Sequence, residues 1–287
     1  MGQVECRAGE DFTIEQDWAA YSEAEHAVWR HLFERQQRLL VGRACREYRE
    51  GLAGLGVAAS GIPDFRRLND ILERATGWRI VAVPGLVPDA VFFGHLANRR
   101  FPSTCFIRRP DQLDYLEEPD IFHDIVGHVP LLMNPVFADY MQAYGVGGLK
   151  AQSLGHLERL ARLYWYTVEF GLIATAEGLR IYGSGILSSA GESVYCLDDP
   201  RPQRLGFDLR RIMRTRYRID RFQETYFVIA SFEQLFEATR PDFTPIYREV
   251  AALPDLEPGQ VLDSDRQFPP PAALGQKNGP QQSSAQV

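Results

Sequence analysis

Apolar positions set the first expectations. Across residues 17–54, Val28, Leu32, Leu39, Leu40 and Ala44 recur near helical spacing between stretches rich in Gln, Glu and Arg, which predicts helix. The run GLAGLGVAASGIP breaks that pattern, and Pro63 opens a second helix over 63–76 that Gly77 ends. WRIVAVP reads as a short strand and residues 103–108 as another. From 119 to about 197 the pattern is mostly helical. Interruptions are expected at YGVGG, at a short strand over 179–182, and at the glycine-punctuated GSGILSSAGE. Beyond these, 207–217 predicts a helix, 226–230 an extended segment and 232–238 another helix.

These elements describe a mainly α fold with small β elements. No internal repeat and no linker divides residues 17–262, so they are expected to form a single catalytic or binding domain. Residues 1–16 are polar and acidic, with no apolar core for a secretory signal, and are expected to be flexible. The tail over 263–287 turns to Pro, Gln, Ser and Asn; it lacks the apolar surface needed to order itself and is expected to be disordered.

Charge narrows the partners. Lys and Arg number 31 against 38 Asp and Glu, a net charge of −7, which argues against nucleic acid. The cluster Arg210, Arg211, Arg214 and Arg216 reads as a solvated helix face rather than a phosphate site. No apolar run approaches the ~18 residues of a membrane helix, so no membrane partner is expected. The four cysteines, at 6, 45, 105 and 196, are too irregular for a disulfide framework or a zinc ribbon. A cytoplasmic enzyme or binding protein is the expectation.

Of six histidines, His26, His31, His95 and His156 carry no chemical context, whereas His123 and His128 share the block EEPDIFHDIVGHVPLLMNP. Ile121, Phe122, Ile125, Val126 and Val129 make their surroundings apolar, and two buried imidazoles need partners for their ring nitrogens. Positions i and i+5 lie about 140° apart on an ideal α-helix. The two rings therefore converge only if the helix loosens near Gly127 or a metal sits off its end. A third group comes from YWYTVEFGLI, apolar or aromatic on every side, in which Glu169 is the one carboxylate. Buried there, it is protonated, paired with an arginine or bound to a cation. Two imidazoles and a carboxylate suit a non-haem Fe(II) facial triad. Zinc accepts the same ligands, so a zinc hydrolase and a metal-free helical binding protein remain open at this point.

PDIFHDIVGHVPLL, LYWYTVEFGL and IYGSGILSSAGESVYCL, in this order, resemble the signature blocks of the pterin-dependent aromatic amino-acid hydroxylases, with similarity from about residue 78 to 250. The short bacterial phenylalanine-hydroxylating members are the nearest in pattern. The resemblance implies the family's mainly helical catalytic domain, Fe(II) and a tetrahydropterin, tetrahydrobiopterin or a relative of it, as cofactors, and dioxygen with L-phenylalanine as substrates. The product would be L-tyrosine, with tryptophan or tyrosine hydroxylation the alternative within the family. It assigns His123, His128 and Glu169 to the iron, and Tyr164 to an active-site tyrosine. Gly85, Leu86, Phe92 and Asp124 fall to the pterin, with Phe93 a rival for Phe92. Arg108, Trp165, Gly185 and Ser188 fall to the amino acid, with Arg109 a rival for Arg108. Asp124 stands where several members have Glu, and Leu116 and Glu117 stand where animal members have Thr-Pro. Neither the family's regulatory domain nor its tetramerisation helix is matched, so a monomer or weak dimer is expected.

Overall fold

A computed structural model describes residues 11–114 and 118–269; Leu116, Glu117 and the outer parts of both termini lie outside the described residues. The first helical stretch divides in two. Helix α1 (Glu23–Leu39) begins at a capping box, with the Ser22 N–H donating to Glu25 Oε2 at 2.7 Å and the Glu25 N–H to Ser22 Oγ at 3.3 Å. Helix α2 spans Arg46–Leu55. Between them Gly42 adopts φ 71°, the left-handed position in the turn that the Arg43 N–H closes onto the Leu40 carbonyl at 3.0 Å. Helix α3 (Phe65–Thr76) is capped by Asp64, whose Oδ1 accepts the Arg66 N–H at 2.9 Å, so Pro63 lies outside the helix it was expected to open.

Strand β1 (Arg79–Val83), helix α4 (Asp89–Ala97) and strand β2 (Arg100–Thr104) form a parallel βαβ unit in register Arg79↔Arg100 to Val83↔Thr104. The second strand therefore lies three to four residues earlier than the expected 103–108, and α4 was not anticipated. The ladder stops at Thr104 because its N–H donates not to a strand but to Asp124 Oδ2, at 2.8 Å.

Helix α5 (Pro135–Leu154) runs unbroken through YGVGG, against expectation. The glycines serve contact rather than flexibility. A Cβ on Gly145 would stand 2.4 Å from the Ala97 nitrogen, and one on Gly148 2.0 Å from the Phe93 ring, so their absence lets α5 press against α4. Helix α6 (Leu157–Tyr164) leads into the hairpin β3 (Leu172–Thr175) and β4 (Gly178–Ile181). Short helices α7 (Ser184–Ser188) and α8 (Glu192–Asp198) follow, then β5 (Gln203–Gly206), α9 (Leu209–Arg214), β6 (Thr225–Ile229), α10 (Phe232–Thr239) and α11 (Thr244–Ala251). The four-stranded sheet has order β4-β3-β6-β5. Its β4 edge is met by residues 43–45, where the Cys45 N–H donates to the Ile181 carbonyl at 2.9 Å and the Ile181 N–H to Arg43 at 2.8 Å. Its β5 edge is met by residues 266–268, through Gly206 N–H to Arg266 at 2.7 Å and Phe268 N–H to Arg204 at 2.8 Å.

Those contacts move both expected boundaries. Residues 11–16 pack, since the Ile14 N–H donates to the Ala82 carbonyl at 2.9 Å and Gln16 Oε1 accepts the Phe65 N–H at 2.8 Å. Residues 263–269 pack as well: Asp265 pairs with Arg211 at 3.1 Å, both side chains nearly buried. Arg211 is thus no part of a solvated face. Among the described residues no helix is long and apolar enough to cross a membrane.

Candidate metal centre and adjoining cleft

The histidine block begins with a cap. Asp120 Oδ1 accepts the His123 N–H at 3.0 Å. The backbone then winds as a π-helix over His123–His128, and the Val129 N–H donates to the Asp124 carbonyl five residues back. The wider turn resolves the spacing problem, because i and i+5 share a face when the hydrogen-bonded repeat is five. The two Nε2 atoms stand 3.1 Å apart. Gly127 sits where the turn widens, packed beneath α7; a Cβ there would lie 2.8 Å from the Ser184 carbonyl oxygen.

A second π-helical turn carries the carboxylate. Trp165–Glu169 continues α6, with the Phe170 N–H donating to the Trp165 carbonyl at 2.9 Å. The Thr167 hydroxyl donates to the Leu163 carbonyl at 2.6 Å, taking an acceptor four residues back that a regular helix reserves for an N–H. Glu169 thereby faces the histidines: Oε1 lies 3.2 Å from His128 Nε2 and Oε2 3.8 Å from His123 Nε2. Ligand atoms of all three residues fall within 4.8 Å of one another.

Hydroxyls from α7 set the donor orientations. Ser188 Oγ donates to the Ser184 carbonyl at 2.9 Å, so the 2.9 Å contact between Ser188 Oγ and His123 Nδ1 has the imidazole as donor. His123 Nε2 therefore carries the lone pair that points at the cluster. Ser184 Oγ lies 2.8 Å from Glu169 Oε2 and donates to it. Burial, against the pull of Glu169, lowers His123 to about 4, so it is neutral at pH 7. Burial would raise Glu169, but the pull and hydrogen bond of His128, the pull of His123 once it is protonated at low pH, and the Ser184 hydroxyl hold it at about 2, so it is anionic. Two imidazole nitrogens and a carboxylate, with a buried inward lone pair, fit a divalent transition-metal ion.

A cleft of about 640 Å³ opens beside the cluster, and His123, Glu169, Arg108, Trp165, Gly185 and Ser188 all line it. Arg108 is buried and forked onto fully buried Asp120, Nε to Oδ2 and Nη2 to Oδ1, both at 2.8 Å. Burial opposes that fork, yet the guanidinium keeps the Asp120 carboxyl below its ordinary 3.8. Arg109, the rival, points to solvent with its side chain 70% exposed and pairs with Asp111. Gly185 leaves room for the carboxylate: a Cβ would sit 3.2 Å from Glu169 Oε2.

The residues expected at the pterin lie apart from that cleft lining. Phe92, half-buried, meets the Tyr164 ring edge-on at 6.0 Å, and Tyr164 stacks near His128 at 6.3 Å, so the two aromatics lead up to the cluster. Phe93 is core, 5% exposed against Tyr144. Leu86 is exposed, and a Cβ at neighbouring Gly85 would meet nothing within 4 Å. Asp124 is buried with Oδ2 occupied by the Thr104 N–H and hydroxyl, and burial pushes its carboxyl up to about 7.

Sequence reasoning missed Asp120, Ser184, Gln223 and Tyr217. Asp120 carried a signal, an Asp before the first apolar residues of a helix, which is a cap in search of a partner. Ser184 stands inside the block IYGSGILSSAGESVYCL, where nothing marks its hydroxyl as a partner of Glu169, and Gln223 and Tyr217, which meet the Trp165 indole, lie outside the motifs and carried no signal.

Residues 10–252 match the model of the family described as biopterin-dependent aromatic amino acid hydroxylase. The phenylalanine-4-hydroxylase of Ralstonia nicotianae is 68% identical over 255 residues, which cover 89% of this chain and 82% of that protein. That of Chromobacterium violaceum is 63% identical, covering 89% and 86%. The iron- and phenylalanine-bound crystal structure of the Chromobacterium violaceum enzyme superposes with a TM-score of 0.87 at 60% identity, covering 91% of this chain and 95% of that one.

Proposed function

The chain belongs to the biopterin-dependent aromatic amino acid hydroxylases, and on that footing we propose that it is a phenylalanine 4-monooxygenase, forming L-tyrosine from L-phenylalanine and dioxygen. The observation that carries this reading is the convergence of His123, His128 and Glu169 from two π-helical turns at the head of an arginine-anchored aromatic cleft. His123, His128 and Glu169 would hold ferrous iron. When bound, the tetrahydropterin would supply two electrons to dioxygen and the iron would activate it, the ring supplying the other two electrons as one oxygen atom entered it and the other was carried off on the pterin.

The protein's own part is placement. Nε and one N–H of Nη2 of Arg108 belong to Asp120, and Nη1 reaches the Leu113 carbonyl at 3.5 Å, so the remaining N–H groups of Nη1 and Nη2 are those left for a substrate carboxylate. Trp165 walls the cleft and Gly185 keeps the floor open beside Glu169. Ser188 holds the proton on His123 Nδ1, which keeps Nε2 a ligand. Phe92 offers a half-buried ring for a flat heteroaromatic to stack on, next to Tyr164. Gly85, Leu86 and Asp124 complete the pterin side of the proposal. A monomer or weak dimer in the cytoplasm, with no nucleic-acid partner, fits the acidic composition.

The test incubates protein, Fe(II) and tetrahydropterin with phenylalanine, tyrosine or tryptophan and identifies products while oxygen uptake is followed. Tyrosine from phenylalanine is expected, with iron as the metal found by elemental analysis. Hydroxytryptophan as the main product would make it a tryptophan hydroxylase, and hydrolysis without oxygen uptake would make it a zinc enzyme.

A further inference from the structure

The chain has four tryptophans, and three of them donate their indole N–H to backbone: Trp18 to Ile62, Trp29 to Ala58 and Trp78 to Ala138, at 2.7, 2.9 and 3.2 Å. Trp165 alone gives its N–H to a side chain, Gln223 Oε1, at 2.9 Å. Chemistry fixes that amide at both ends. The indole can only donate, so Oε1 faces it, and Nε2 then donates to the Arg218 carbonyl at 3.0 Å. Gln223 is 4% exposed although it belongs to the irregular stretch before β6. It is tied down by its own backbone N–H, which donates to Glu192 Oε1 at 3.0 Å; the same oxygen accepts the Tyr226 hydroxyl at 2.7 Å. Tyr217 stacks on the indole at 4.4 Å and 16°, and Phe170 packs against it at 4.8 Å.

We propose that Gln223 is a positioning residue for substrate selectivity: its side-chain oxygen holds the Trp165 indole at one angle in the cleft, and that angle sets how wide an aromatic ring the cleft admits. This rests on the reading above, in which the substrate ring lies along Trp165. A stacked ring can still slide and turn in its own plane, whereas a hydrogen bond to the rim fixes that remaining freedom. Removing the acceptor leaves a buried N–H unpaired, and the indole turns to find another. A wall that turns positions a single ring less well and resists a fused two-ring side chain less.

The test compares the wild type with Gln223→Leu, Trp165→Phe and the double variant, all iron-loaded with tetrahydropterin, for kcat and KM on phenylalanine and on tryptophan. Gln223→Leu should raise the phenylalanine KM about tenfold with kcat changed far less, since a lost buried acceptor acts on that scale. The preference for phenylalanine over tryptophan should fall at least fivefold. In the Trp165→Phe background, which has no indole N–H, the same exchange should alter either quantity less than twofold. An equal loss there would overturn the proposal, because Gln223 would then act through its loop. An unchanged KM and preference in the single variant would overturn it too. Hydrogen–deuterium exchange of the Trp165 indole in iron-free protein reads the same contact without turnover. Protection in the wild type and rapid exchange in Gln223→Leu are expected, and protection in both would overturn the proposal. Should the wild type form no tyrosine, the functional reading fails, while the exchange experiment still decides what Gln223 does to Trp165.

Discussion

Arg108 shows how one side chain serves two partners. Its fork onto Asp120 is buried, and the opposite edge faces the cleft. An ammonium cannot span both, so Arg108→Lys should raise the phenylalanine KM about ten- to a hundredfold, the scale of a lost charge-assisted hydrogen bond. Arg109→Lys, changed at an exposed position, should leave it alone. An unaffected KM in Arg108→Lys would remove the arginine from substrate binding. Asp120→Asn should lower stability by roughly 3–5 kcal/mol, the cost of breaking a buried pair. The depressed Asp120 carboxyl gives the sign of the pH dependence: the pair's contribution is whole above the ordinary carboxyl value of 3.8 and fades as pH falls through the lower folded value. Phe92 and Phe93 separate in the same way. Phe92→Ala should raise the tetrahydropterin KM severalfold with iron content unchanged. Phe93→Ala should instead cost about 3–5 kcal/mol of stability, because that ring fills the core against Tyr144. Pterin use impaired only in Phe93→Ala would place the stacking ring one residue later. The chemistry of these residues was legible in the motifs, but their second partners were not, since Asp120 and Gln223 are joined to them only through the folded chain.

At the scale of elements, the two π-helical turns make the cluster. On regular helices His123 and His128 would face about 140° apart, and the spacing alone left convergence unexplained. The sequence did carry the clue, a glycine at 127 with room for nothing else, but not the reason, which is the Ser184 carbonyl pressed against it. Gly127→Ala should therefore shift α7, disturb Ser184 and Ser188, and weaken iron binding at least tenfold while the protein stays folded. Iron affinity equal to the wild type, measured by equilibrium dialysis, would show that the wide turn does not depend on that close approach. Periodicity found most helices but misjudged YGVGG, because a glycine that breaks a helix and one that lets a neighbour approach look alike until the neighbour is in place. Strand pairing was less legible still. β5, β6 and β3 pair in parallel across long stretches of sequence, and the end of β2 is set by Asp124, a side chain twenty residues away.

For the whole molecule, composition placed the end of the packed chain near 262, yet Asp265 and Phe268 both dock. Five Pro, Arg and Gln neighbours hid two useful residues. Truncation after Pro269 should leave the melting temperature within about 2 °C of the full chain. Truncation after Asp263 strips Arg211 of its buried partner and should cost several degrees, at about 2–4 °C per kcal/mol for a domain of this size. Equal melting temperatures for the two would mean that the docked segment contributes nothing. The same segment has a second effect. A bare edge strand is a template that any extended chain can join, including another copy of the same protein. Here residues 43–45 bridge β4 at Ile181 and residues 266–268 pair with 204–206 on the β5 side, so among the described residues each edge of the sheet is met by another segment of the chain. The last docked residues thus act as a seal against self-templated growth, and the chain trimmed at Asp263 should scatter light increasingly as it is concentrated, even at temperatures where it remains folded.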